Sequence, residues 1–249
     1  MAKIRREQVV EVALDLLDEV GLDGLSTRRL AQQLGVESAT LYWHFRDKSV
    51  LLGEMASAVL ARHHTLAVPA DALQWPAWFA DNMRSLRRAL LAYRDGARLH
   101  AGTVPGPGDR AGIERKIAYL VGAGFTREQA GMALFAAGQY TLGCVLEEQA
   151  RSVVAAGEGE ATDAGAPAGA LDAEAAFEFG LGVIVDGLRG RLGAAAKALS
   201  AKARPVRTLQ PKTRLARHAP PGAADPVAFV RPPPSVLHSP RRKRQAWFG

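Results

Sequence analysis

The sequence is short of several things, and each shortage excludes something. Cys144 is the only cysteine among 249 residues. No intramolecular disulfide can form, which fits a reducing, cytoplasmic setting. No stretch of about 18 apolar residues occurs, so no transmembrane helix and no membrane partner are expected. The opening MAKIRREQVVEVALDLLDEVG starts basic, but acids interrupt its apolar positions, and it does not read as a signal peptide. Runs of β-branched residues are scarce while Ala, Leu, Arg, Glu and Gln recur, which predicts an all-α fold. No internal repeat is found. GxSxG, HExxH and phosphate-loop motifs are missing, which argues against an enzyme. Asparagine occurs once, at Asn82.

Charge is unevenly spread. The net charge is +7, yet residues 203–249 hold ten Lys and Arg against the single acid Asp225, leaving 1–202 at −2. The body is mildly acidic, so a nucleic-acid function must rest on local geometry near the N-terminus rather than on global charge. Nine of the 14 prolines also lie in 203–249; this Pro-rich basic tail is expected to be disordered. Three readings remain open for it and its RRKR (241–244): appendage, non-specific DNA anchor or peptide ligand.

Periodicity divides the rest. Val9, Val12, Ala13, Leu16 and Val20 mark one helix face, and Gly21 stops it. Ser26 or Thr27 caps a second helix through Leu34, which Gly35 ends. A third runs from Ser38 to Phe45, closing a 1–46 domain. The 47–202 domain reads as helices over 48–64, 75–93, 113–124, 126–154 and 171–202, with a loop around a short helix at 94–112 and a flexible Gly-rich linker at 155–169. On the last helix Phe177, Phe179, Leu181, Ile184, Val185 and Leu188 make a broad apolar face.

Two helices meeting at the Gly35 turn form a helix-turn-helix, whose second helix enters the DNA major groove. Arg28 suits a guanine edge or a phosphate; Thr27, Thr40, Tyr42, His44 and Lys48 suit phosphates. Simple packing is the alternative, with Leu30, Ala31, Leu34, Val36, Leu41, Trp43 and Phe45 as a small core. In the body, His64, Asn82, His100, Thr103 and Glu147 are polar groups among apolar helices; two histidines and a glutamate far apart in sequence are a weak metal signal, and on the residues alone surface histidines and a solvated acid are the better reading.

The stretch TRRLAQQLGVESATLYWHFRDKSVLL resembles the DNA-binding domain of the tetracycline repressor family. ARHH (61–64), RSLRRALLAYRDGARLHAGTVP (84–105) and FTREQAGMALFAAGQYTLGCVLEEQ (125–149) resemble the tetracycline-repressor-type ligand-binding core, and the likeness spans 1–202. The resemblance implies a transcriptional repressor that binds a palindromic operator as a homodimer, with a four-helix bundle built from 126–154 and 177–202. It implies DNA contacts from Thr27, Arg28, Glu37, Ser38, Ala39, Thr40, Tyr42, Trp43, His44 and Lys48. It implies release by a small-molecule inducer, a tetracycline-like drug chelated to Mg²⁺, in a pocket of His64, Asn82, Leu86, His100, Thr103, Pro105, Lys116, Leu134, Gly138 and Glu147. There His100 would hold the metal directly, with Thr103 and Glu147 acting through water and Leu134, Leu142 and Val145 as walls. Residues 95–103 would uncoil and shift the helix 48–64. An efflux or resistance gene is the expected target.

The departures from the family pattern bear on specificity. Val104 stands where an arginine is usual, Leu86 for an aromatic, Gly138 for a serine, Lys116 for a glutamine and Ala67 for a serine. Ser38-Ala39 replaces Gln-Pro in the reading helix, so a related operator with altered central preference is expected. A different polyketide-like or chelating inducer stays open. So do a metal hydrolase using His100 and Glu147, and an architectural nucleic-acid binder.

Overall fold

A computed structural model describes residues 4–157 and 172–202, with helices and no strand among them. The order is α1 (Arg6–Gly24), α2 (Thr27–Leu34), α3 (Ser38–His44), α4 (Lys48–His63), a 3₁₀ turn (Ala72–Gln74), α5 (Trp75–Leu91), α6 (Gly96–Ala101), α7 (Pro107–Gly122), α8 (Arg127–Gly157) and α9 (Ala173–Lys202). The all-α expectation holds. The expectations for the tail and for most of the linker fall outside the described residues. At 155–157 the helix α8 continues into the stretch read as linker.

The head is built from local signals. Gly21 breaks α1 with φ 71°, and one further turn follows it. Ser26 caps α2, its Oγ accepting from the Arg29 amide at 3.3 Å. Gly35 ends α2 at φ 67°. That left-handed value costs a residue with a Cβ about 1–2 kcal/mol, which is why glycine turns the chain between α2 and α3. Asp47 caps α4 by accepting from the Val50 amide at 3.0 Å. Arg6 then ties three elements together. Its Nε donates to Glu54 at 2.8 Å, its Nη1 donates to the His44 carbonyl, and its guanidinium lies 4.5 Å from the Phe45 ring centre.

Two cores follow. The head core gathers Val9, Leu14, Leu17, Leu30, Leu41, Phe45 and Met55, and it also takes in Ala89 from α5 and Leu99 from α6. The second core joins Trp75, Trp78, Phe79, Leu120, Phe125, Phe177 and Leu181, and so binds α5, α7, α8 and α9. A smaller cluster of Leu90, Ala97 and Val145 lies between α5, α6 and α8.

Three readings change. Helix α7 begins at Pro107, six residues before the periodic stretch; proline takes the first turn, and Asp109 accepts from the Gly106 amide at 2.9 Å. A Pro-Gly run that reads as a loop is here a helix start. Phe179 is 76% exposed and so leaves the buried face of α9. Trp43 is 89% exposed and is not part of the head core. Leu41 and Phe45 lie two residues to either side of it, and so on the far side of the helix.

Candidate functional site

On the head, α2 and α3 form the expected pair. Arg28, Glu37, Ala39, Tyr42, Trp43 and Lys48 are exposed, while Thr27, Ser38, Thr40 and His44 are half-buried. Thr27, Tyr42 and Lys48 line one shallow crevice with Leu30, Leu41, Phe45, Asp47 and Leu51. Lys48 Nζ donates to the Leu25 carbonyl at 2.7 Å, which fixes its charge beside the start of α2 while leaving further donors free. The outer side of α3 thus presents an indole, a phenol and hydroxyls, the groups that meet phosphates and base edges. Because Trp43 buries almost nothing, Trp43→Ala should leave the melting temperature within about 1–2 °C. The same substitution should weaken specific DNA binding about tenfold. An unchanged DNA titration would remove α3's outer face from the interface.

In the body, the C-terminus of α4, helices α5 to α7 and the loop after α6 place a second polar cluster. His64 Nδ1 lies 3.0 Å from Ser85 Oγ on α5, and Lys116 Nζ on α7 lies 2.6 Å from His64 Nε2. An ammonium has donors and no acceptor, so Lys116 donates to Nε2. His64 is then the Nδ1–H tautomer and donates to Ser85, whose hydroxyl is 3.5 Å from the His63 carbonyl. Burial first, and then the positive charges of Lys116, His100 and Arg88, push the His64 pKa down to about 4. Burial also lowers His100, against a smaller upward pull from Asp109. Lys116 is lowered to about 8, by burial and then by Arg115. His100 therefore offers a neutral imidazole, the form that binds a metal. Thr103 Oγ1 donates to the His100 carbonyl at 3.0 Å, closing the end of α6. Asn82 is 2% exposed, and its Oδ1 has no hydrogen-bond partner. It sits one turn before Ser85, on the same face of α5.

The remaining expected residues scatter. Leu86 and Leu142 pack against the Leu90–Ala97–Val145 cluster, and Leu134 against the second core. Gly138 has open space where a Cβ would stand. Pro105 and Val104 are exposed in the loop before α7. Glu147 is exposed on α8, lining an open groove of about 390 Å³ with Gln139, Tyr140, Gly143, Cys144, Arg151, Ala173 and Ala176. Gln149, two residues on, points the other way: its Oε1 accepts from the Ala97 amide at 3.2 Å and its Nε2 donates to the Tyr93 carbonyl at 3.0 Å. Residues two apart on a helix lie about 200° apart. Glu147 therefore turns away from His100 within the same chain. Among the described residues no three His, Cys, Asp or Glu come together to hold a metal ion. Of the metal set expected from the sequence, Thr103 is bonded to His100 at the end of α6, and Glu147 is exposed on α8.

Sequence reasoning passed over Ser85, Arg88 and Asp109, which orient or polarise the histidines. It also passed over the clasp between head and body. The Leu22 amide donates to Asp95 Oδ2 at 2.8 Å, the Arg94 amide to Asp18 Oδ1 at 2.7 Å, and Arg98 to both Asp23 oxygens at 2.9 and 3.0 Å. No local pattern signals these contacts, whose partners lie more than 70 residues apart.

Residues 9–55 match the model of bacterial regulatory proteins of the tetR family, and residues 68–192 that of the tetracyclin repressor-like C-terminal domain. The class A tetracycline repressor protein from transposon 1721 of Escherichia coli is 48% identical over 202 residues, covering 77% of this chain and 93% of that protein. The chain belongs to the tetracycline repressor family. It is a transcription regulator rather than an enzyme, which removes the hydrolase reading. Among solved structures, a class A TetR in complex with 5a,6-anhydrotetracycline and magnesium matches at TM-score 0.63 and 44% identity, over 75% of this chain and 99% of that one. A single-substitution variant of TetR from Acinetobacter baumannii AYE, in complex with minocycline, matches at TM-score 0.66 and 40% identity, over 76% and 99%. No helix among the described residues is long and apolar enough to cross a membrane.

Proposed function

We propose that the chain is a homodimeric repressor that holds a palindromic operator through α3 and is released by a tetracycline-like ligand chelated to Mg²⁺, controlling an efflux or resistance gene. The observation that carries this reading is the double duty of α6. Leu99 is buried in the head core, and His100, the next residue, faces the polar cluster with His64. A ligand that moves His100 must move a side chain on which the DNA-binding head is packed. Interiors are close-packed, so such a shift is transmitted rather than absorbed.

The cation fits the residues in a limited way. One neutral imidazole and the Thr103 hydroxyl are too few to hold Mg²⁺ alone, but they suit the protein side of a chelate whose other oxygens come from the ligand and water. Glu147 faces outward, so it serves such a site from a second copy: the partner's Glu147 would complete the set. A second copy also has a face to meet. Met132 and Phe135 on α8 and Phe179 and Val183 on α9 are exposed apolar residues, beside Gly182 and Gly187, where a Cβ would meet nothing. Pairing these faces would form a four-helix bundle and cover what a monomer leaves in water. The dimer sets the two α3 helices about 34–36 Å apart, one DNA turn. The ligand favours a different spacing.

The test is a titration of labelled palindromic operators with the full chain, with and without anhydrotetracycline, in Mg²⁺ and then in EDTA. Release by drug in Mg²⁺ and retention in EDTA is the expected pattern. Release independent of metal, or a monomer at operator-binding concentrations, overturns it. One observation favours a same-family regulator for a different chelating small molecule: His64 already has both nitrogens engaged, one by Lys116.

A further inference from the structure

We infer that Lys116 makes the ligand site selective for an effector carrying a carboxylate or similar oxyanion next to a hydrogen-bond donor, rather than for a neutral amide. The inference rests on the reading of this cluster as the effector site and names the chemistry of that effector.

Lys116 is half-buried, and none of the ion pairs among the described residues includes it. The groups facing its neighbourhood are mostly cationic or neutral. His64 comes from the end of α4, Arg88 from α5, His100 from α6 and Arg115 from its own helix. The acid acting on the cluster is Asp109, on the His100 side, and its Oδ2 is held by Ser57 at 2.5 Å and the Gly106 amide at 2.9 Å. A partly buried cation without a counterion is costly, and an anionic ligand would supply one. Lys116 gives one N–H to His64, which leaves two for a ligand.

His64 itself has little to offer. Its acceptor takes the Lys116 proton and its donor goes to Ser85. The polar edge of the site is therefore an ammonium mounted on an imidazole. The second half of the chemistry comes from Asn82. Its carbonyl oxygen is buried and unpaired, so it calls for a donor, such as a hydroxyl or N–H. A carboxylate beside a hydroxyl on an aromatic ring satisfies both groups.

The experiment uses two isosteric probes, 3-hydroxy-2-naphthoate and the neutral 3-hydroxy-2-naphthamide, followed by fluorescence with the full chain in EDTA. The acid should bind about tenfold tighter than the amide, on the order of one charge-assisted hydrogen bond. Lys116→Gln should bring the ratio close to one, and Lys116→Arg should keep most of it. The preference should fade as pH rises above about 8, because the ammonium is charged below its lowered pKa and neutral above it. Equal binding of the two probes overturns the inference. So does a preference that survives Lys116→Gln, or no binding of either probe. If anhydrotetracycline with Mg²⁺ still releases operator in the same preparations, only the Lys116 assignment fails. If neither set of ligands acts, the effector site itself has been misplaced.

Discussion

Replacing Arg87 by alanine should lower the stability of the chain by about 2–3 kcal/mol, seen as a fall in melting temperature of roughly 5–10 °C. Arg87 is 8% exposed and joins three helices. From α5 it reaches Glu148 on α8 at 2.7 Å and pairs with Glu174 on α9, and its guanidinium lies 5.3 Å from the Phe177 ring centre. Phe177 is fully buried. Removing the cation leaves two carboxylates without their partner and uncovers a buried ring. The estimate stays below the value for a fully buried pair because the Glu174 side chain is 57% exposed and water can screen it. The Arg87 Nε is buried and unpaired, so the native arrangement already carries a cost. Arg87→Met fills the volume without the charge and should recover about half of the loss. Since α8 and α9 carry the proposed dimer face, the alanine variant should also dissociate at higher concentration than the parent. A melting curve unchanged within about 1 °C would show that the three-helix staple holds nothing.

What the sequence showed depended on how local each signal was. The helix-turn-helix was legible because its signals are adjacent: Ser26 caps, Gly35 takes the left-handed turn, and Leu30, Leu41 and Phe45 recur on one face. The start of α7 was misread because Pro107 and Gly108 look like a loop, while the Asp109 capping contact that makes them a helix start is a matter of geometry. In the body, residue types pointed to His64, Asn82 and His100; His64 bonds Ser85 on α5, one turn from Asn82, and His100 on α6 acts on the charge of His64. Glu147 belongs to the same set by type, but helix phase turns it outward. Only the structure revealed the hydrogen-bond order from Lys116 through His64 to Ser85. It joins residues 52 and 21 positions apart, and no periodicity encodes it.

The clasp between head and body should control release rather than DNA affinity, and Asp95 is the residue to test. It has φ 56°, the only positive value at a non-glycine among the described residues. A backbone of that kind costs on the order of 1 kcal/mol and persists where something holds it. Here the Asp95 carboxylate accepts the Leu22 amide just after the Gly21 break in α1, while Arg94 and Arg98 reach Asp18 and Asp23 beside it. Gly96 admits no substitute here, because a Cβ would stand 2.3 Å from the Leu90 carbonyl. The start of α6 is thus fixed to the head on one side and to α5 on the other. Asp95→Ala removes the tie and keeps the strain; Asp95→Gly removes the tie and relieves it. Both should bind operator within a few-fold of the parent and lose about tenfold of the ratio between operator affinities without and with effector, a coupling change of about 1.4 kcal/mol. Alanine should additionally melt lower than glycine, by the strain it retains. By reciprocity, effector binding in both variants should become less sensitive to operator. If both variants release operator as fully as the parent does, the signal reaches the head through α4 alone, and Leu99 is a packing residue without a part in the switch.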